Sequence, residues 1–292
     1  MKVRQSKIAN FERGMTIAEL LVALGISSVL FEGLINQYSS TVTLAYDQSI
    51  RISANLQAQA IVQTIGSEIR ILGNGVPFDQ PNFQIGESTL SDTSVTEPID
   101  VDTATATNIS FRLNETGEVN LLTADFNPAS SLTMSLTDVT GLDINDPLYL
   151  SNSVVSGDDG LYGVITAVDS GASTVTIDAG YIASPGATFA MGSTVEEVPI
   201  VTFNSPLDGS GITRDSGFGT VLMGPNSTME LTYLDMDGNT LTLPITNTDV
   251  INSLRAIRVT VNLTSEQSLS TGTPYIATVS QTFGLRNLNY LY

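Results

Sequence analysis

Residues 15–35 read MTIAELLVALGISSVLFEGLI, a stretch whose only charged residues are Glu19 and Glu32. As a helix these residues rise about 31 Å, close to the ~30 Å hydrocarbon core of a bilayer. The segment is long enough to cross a membrane once. Upstream of it lie Lys2, Arg4, Lys7 and Arg13, which include both lysines of the chain. A basic start followed by a strongly acidic chain predicts the first residues in the cytoplasm and the bulk outside.

The rest of the composition narrows what that bulk can do. The chain has 292 residues, 41% hydrophobic and 14% charged, with a formal net charge of −19. This is a globular composition, with room for one large domain or two small ones. Removing the four cations of residues 1–14 and the single acid there, Glu12, leaves seven arginines against 29 acids, a net charge of −22. Such a surface repels phosphate backbones, so nucleic acid is not an expected partner. The chain contains no His and no Cys. It therefore cannot build a Ser-His-Asp or Cys-His pair, a zinc site with nitrogen or sulfur ligands, or a disulfide. A pair of carboxylates of the glycosidase kind is the remaining catalytic route, and no pair stands out among so many acids. The expectation is a protein that is not an enzyme, with no catalytic residues.

Three readings compete for the amino terminus. A cleaved secretory signal wants an uninterrupted apolar stretch of about 7–15 residues and small residues at the cleavage site, and Glu19 interrupts it. A plain membrane anchor accepts the length, but an ionised Glu19 near the edge of the hydrocarbon is costly without a partner. In the third reading, Gly14-Met15-Thr16-Ile17-Ala18-Glu19 and the apolar run after it resemble the class III signal of type IV pilins and pseudopilins.

That resemblance implies a dedicated prepilin peptidase cutting between Gly14 and Met15, with N-methylation of the new terminal Met15. Pilins usually begin with Phe at this place, and Met is a variant. Glu19 would be the fifth mature residue. In the family it neutralises the new amino group of a neighbouring subunit inside an apolar filament core. An unpaired charge there costs several kcal/mol, so the pairing also sets the axial register of one subunit on the next. The implied partners are other pilins through the first helix, the peptidase, an inner-membrane assembly platform, and the bilayer before assembly. The implied location is the cytoplasmic membrane, then the periplasm or a surface pilus.

Helix-compatible sequence continues past the apolar run, with no Pro from Met15 through Val76. Ile61, Ile65, Ile69 and Leu72 recur at helical spacing, Arg70 suits the dipole of a last turn, and Gly73-Asn74-Gly75 followed by Pro77 is a stop. One helix from about Met15 to Leu72 is predicted. Residues 77–102 read as an exposed loop. Alternating strands follow around Ile109–Leu113 and Leu132–Leu136, with further runs at Leu148–Leu150, Leu161–Val168 and Thr174–Ile177. The short ones between about 119 and 190 suggest a β module inserted in a larger fold. Met229, Leu231 and Tyr233 alternate, Asp235-Met236-Asp237-Gly238-Asn239 turns the chain, and Leu241, Leu243 and Ile245 alternate back as the second arm of a hairpin. Thr248-Asp249 caps a short helical turn, and strands follow over Ile257–Leu263 and Ile276–Leu285.

The predicted class is α+β: a long N-terminal helix, half transmembrane and half amphipathic, packed on an antiparallel sheet domain with an inserted β module. The domain boundaries are a basic leader over 1–14, the helix over 15–72 with 15–35 in the membrane or filament core, and an extracytoplasmic β-rich domain over 73–292. The helix ending in EIRILGNG, the strands, and the closing Leu285-Arg286-Asn287 are similar to large minor pilins of the PilW kind. The hairpin, helical turn and strand from Met229 to Leu263 are similar to J-type pseudopilins of type II secretion. Large minor pilins prime assembly or cap the filament tip, so a structural subunit is expected. A type II secretion pseudopilin and a tip adhesin using residues 77–200 are the alternatives.

Other motifs have simpler readings. Asp235, Asp237 and Asn239 could offer oxygens to calcium, but the downstream Glu of a complete calcium loop is missing, and Asp-Gly is also a hairpin signal. No other cofactor is expected. Asp158-Asp159 reads as a solvated turn, and Glu32 as lying at the outer membrane interface. The acceptor patterns at Asn108, Asn114, Asn226 and Asn262 arise by chance in a chain so rich in Asn, Ser and Thr.

Overall fold

The computed structural model describes residues 16–75, 99, 104–151, 160–182, 188–206, 208–217, 219–245, 250 and 253–285. Its first element is one helix, α1, Ile17–Ile71, 55 residues long and so about 82 Å. Thr16 caps its start, and Leu72 closes it by donating its N–H to the Ile69 carbonyl. The two halves of α1 live in different surroundings. From Thr16 to Ser49 every residue is exposed except half-buried Ser27 and Asp47. From Ile50 onward one face is buried: Ile50, Ala54, Ala58, Ile61, Val62, Ile65, Gly66 and Ile69. Their spacing of three and four places them in one stripe, as the sequence predicts.

Among the described residues thirteen strands follow and form three antiparallel sheets. The first holds β1 (Asn108–Arg112), β8 (Ile200–Asn204), β9 (Ile212–Asp215) and β10 (Thr220–Gly224), in that order. The second holds β11 (Ser227–Leu234), β12 (Ala256–Ser268) and β13 (Pro274–Gly284). These two sheets share one core with the buried stripe of α1. They are tied directly, since the Leu231 N–H donates to the Ala106 carbonyl and the Met229 N–H to the Ser205 hydroxyl.

The third sheet is a separate body with its own core of Leu122, Phe126, Leu150, Ile165, Ile177 and Phe189 among others. It comprises β2 (Asn120–Leu121), β3 (Thr133–Ser135), β4 (Pro147–Leu150), β5 (Leu161–Asp169), β6 (Thr174–Ile182) and β7 (Thr194–Glu197). Its strand order is β2-β7-β4-β5-β6-β3. The chain leaves the first sheet after β1 and returns to it at β8, so this module lies between two paired neighbours of the main domain. At the junction Arg112 is fully buried, donates to the Val198 carbonyl and lies over the Tyr162 ring.

The β12–β13 hairpin runs along α1. Arg51 stacks on Tyr275 and Asn55 donates to its hydroxyl; Gln63 donates to Gln281; Arg70 lies 5.1 Å from the centroid of Phe283. Strand and helix thus run alongside in the same direction. The hairpin tip reaches farthest toward the start of the helix, where the Ser270 N–H and hydroxyl both donate to Asp47, at 2.8 and 2.7 Å. From Ile35 to Asp47 the helix is a bare rod carrying exposed Tyr38, Val42, Leu44 and Tyr46.

Two details differ from the sequence reading. The arm Leu241–Ile245 is not a strand: β11 pairs along its full length with β12, and the returning arm keeps only the Leu234–Thr240 bridge and the Leu241 N–H to Tyr233 carbonyl bond. Pro244 has no N–H to offer a ladder, and Ile245 donates instead to the Ala104 carbonyl. Strands β7 to β10, each only four or five residues long, were not expected. Gly14, Met15, Asp158, Asp159, the Thr248-Asp249 cap and nearly all of the 77–102 loop lie outside the described residues.

Candidate assembly site at the head of the first helix

The helix opens with Thr16 in extended backbone, and its hydroxyl accepts the Glu19 N–H at 3.3 Å. Glu19 reaches back, its Oε2 accepting the Thr16 N–H at 2.9 Å and the Thr16 hydroxyl at 3.0 Å. This reciprocal pair is a capping box, which satisfies donors that the first turn otherwise leaves open. In the isolated chain Glu19 is thus held by its own helix start, with its carboxylate exposed among Ala18, Val22, Ala23 and Ile26. The same carboxylate is free to exchange these bonds for an outside cation. Beyond it Ile17–Ile71 is long and apolar enough to cross a membrane, and the apolar window is 0% buried by the rest of the chain. Glu32 is exposed on this rod, and a Cβ added at Gly25 or Gly33 would meet nothing.

The calcium candidates sit at the tip of the β11 turn. Asp235 Oδ1 accepts the N–H groups of Asp237 and Asn239, and its Oδ2 accepts the Asn239 side-chain amide. Those bonds hold the Asp235 carboxyl below its ordinary range, the Asn239 contacts most of all. The Asn239 amide turns its N–H, not its oxygen, toward Asp235, so these two side chains brace the turn.

Two charged groupings were not visible in the sequence. In the first, Arg214 of β9 binds Glu68 of α1 at 2.8 Å and Glu115, just past β1, at 2.6 Å. Burial pushes the Glu68 carboxyl above its usual range, against the pull of Arg214. This bridge links the end of the helix to the first sheet. In the second, at the junction with the module, burial pushes the Glu197 carboxyl up to about 7, aided by the charges of Asp146, Glu115, Asp143 and Glu118. Partners lying 51 to 146 residues apart leave no local signal.

The chain matches no family model, and no curated protein matches it.

Proposed function

We propose that this chain is a structural subunit of a type IV pilus-like filament, a minor pilin that primes assembly or caps the tip. Processing falls between Gly14 and Met15, and the apolar half of α1 holds the subunit in the membrane before it assembles. The observation that carries this reading is the division of α1: an apolar half with no covering inside the chain, headed by the Thr16–Glu19 box, and a half built into the chain's own core. A helix that is hydrophobic yet bare in the monomer requires a lipid or helical environment to cover it. Moving it from lipid to neighbouring helices costs little apolar free energy, while the Glu19 carboxylate gains a fixed cationic partner.

The deciding experiment is mass spectrometry of the amino-terminal peptide, taken separately from sheared surface material and from membranes. A methylated Met15 in the sheared fraction is expected. The same peptide confined to membranes moves the assignment to a secretion pseudopilin, and an intact Met1, or a cut beyond Ile26, refutes the pilin reading altogether.

A further inference from the structure

We propose that the face of α1 turned away from the core is a coiled-coil seam for the same helix of a second copy of this chain, the two lying parallel and in register. Tyr38, Val42, Ala45, Ser49, Ile52 and Leu56 follow one another at steps of four, three, four, three and four residues. Alternating steps of three and four are those of a heptad repeat. The large apolar side chains of the row, Tyr38, Val42, Ile52 and Leu56, are each at least 49% exposed. Exposed Phe31 and Ile35 continue the same steps back into the apolar half of the helix. The period identifies the occupant as a helix. Lipid would surround this stretch and call for apolar residues on every side, whereas Gln37, Ser40, Thr41, Gln48, Ser53 and Gln57 stand between the seam positions. A narrow row repeating every two turns fits the knobs and holes of one other helix.

Placement and charge point to a second copy as the owner of that helix. Ile52 and Leu56 stand two residues, about 200° around the helix, from buried Ile50 and Ala54. Two α1 helices meeting on the seam therefore hold their β-rich bodies on opposite outer sides. Asp47 and Arg51 lie on the core side, tied to Ser270 and stacked on Tyr275. The residues bordering the seam, among them Ser39, Thr41, Gln48, Ser53 and Asn55, carry no charge. A seam that selects a different chain by charge places Glu and Lys at these borders. Neutral borders let two copies of a strongly acidic chain meet with no like charges facing across the contact.

The direction of the pair rests on the membrane reading of α1. Two copies anchored through the same apolar segment present the seam in the same direction and at the same height. Ala45 and Ser49 at its middle are small enough for the backbones to approach closely. The seam joins equal positions of two chains, unlike the axial step that a Glu19 contact sets between successive subunits. It thus describes a pair in the membrane before assembly.

The chain has no Cys, so a single introduced thiol reports only on its own neighbour. Val42→Cys, Leu56→Cys and, on the other side of the rod, exposed Ser40→Cys are made singly in the full chain, held in excess detergent and oxidised with copper phenanthroline. Equivalent thiols link only where two helices run parallel and in register, so covalent dimer should form at least about fivefold faster at Val42→Cys and Leu56→Cys than at Ser40→Cys. Adding Ile52→Gln to the Val42→Cys chain should cut that rate severalfold and leave the circular dichroism unchanged, because Ile52 is exposed. No linking at the two seam positions, equal linking at Ser40→Cys, or a rate untouched by Ile52→Gln overturns the proposal. Should Ile52→Gln fail to fold, sedimentation of the unaltered chain decides, and a monomer overturns it. Linked pairs of a chain not cut after Gly14 would keep the seam and lose the filament reading; monomers of a correctly cut chain would do the reverse.

Discussion

Gly66 lies on the buried stripe of α1 where Phe283 crosses it, and a Cβ at this position would overlap three atoms of the phenyl ring. Two effects oppose each other in Gly66→Ala. Alanine favours the helix by about 1 kcal/mol over glycine. Against that, overpacking a well-filled core costs typically 1–3 kcal/mol. The upper end applies here, because the ring is 1% exposed and Arg70 sits over it, so it has nowhere to swing. The net expectation is a loss of about 2 kcal/mol, or roughly 4–8 °C in Tm for a domain of this size. Thermal unfolding followed by circular dichroism in detergent measures it. Phe283→Leu should relieve the overlap, so the double variant should lose less than the two single losses added together, with a coupling of about 1 kcal/mol or more. A Tm that rises in Gly66→Ala would refute the reasoning, since it would mean helix propensity outweighs a contact that is not there.

Further outcomes follow from the charged groups. The Glu197 carboxyl is raised to about 7 in the folded chain from an ordinary value near 4.5, so its contribution to stability is present below the lower value and is lost as pH rises through the upper. Tm should therefore fall between about pH 5 and 7.5, and Glu197→Gln should flatten that slope and raise Tm near pH 8; an unchanged slope would show that Glu197 is not the titrating group. Glu19→Ala should leave cleavage after Gly14 intact and abolish incorporation into filaments, read by mass spectrometry and by immunodetection in the sheared fraction; normal incorporation would sink the register argument. Asp235→Ala should lower Tm slightly by removing the bonds that brace its turn. Adding calcium to the unaltered chain should leave Tm unchanged, and a rise of several degrees with calcium would show that the turn is a binding loop after all.

The parts of this fold that were legible in the sequence are those with a local cause. The stripe of Ile61, Ile65 and Ile69, the stop at Gly73-Asn74-Gly75, and the alternation in β1, β11 and β12 each follow from periodicity or backbone preference within one segment. The Thr16–Glu19 capping box is equally local, three residues apart, yet the sequence reading did not pair them because it took Glu19 for the partner of a neighbouring subunit. Leu241–Ile245 misled because alternation reports which faces are buried and not which strand is the neighbour; those side chains pack on the core while the backbone turns to Ala104. The Arg214 bridge and the acids around Glu197 were invisible because their partners meet only through topology. Strand β9 is four residues long, and its half-buried Arg214 reads in isolation as a loop cation.

Were α1 to anchor the chain in a membrane, the bare rod between Ile35 and Asp47 would act as an electrostatic spacer. Its intervening residues, 36–46, rise about 17 Å. In a membrane-anchored subunit that distance keeps the acidic domain farther from anionic headgroups than the screening length of about 8 Å at physiological salt. The two negative surfaces then scarcely feel each other, and the domain can remain strongly charged without being levered off its own anchor. Shortening the rod by two turns, about 11 Å, would bring the domain within one screening length of the lipid and turn a neutral geometry into a repulsive one.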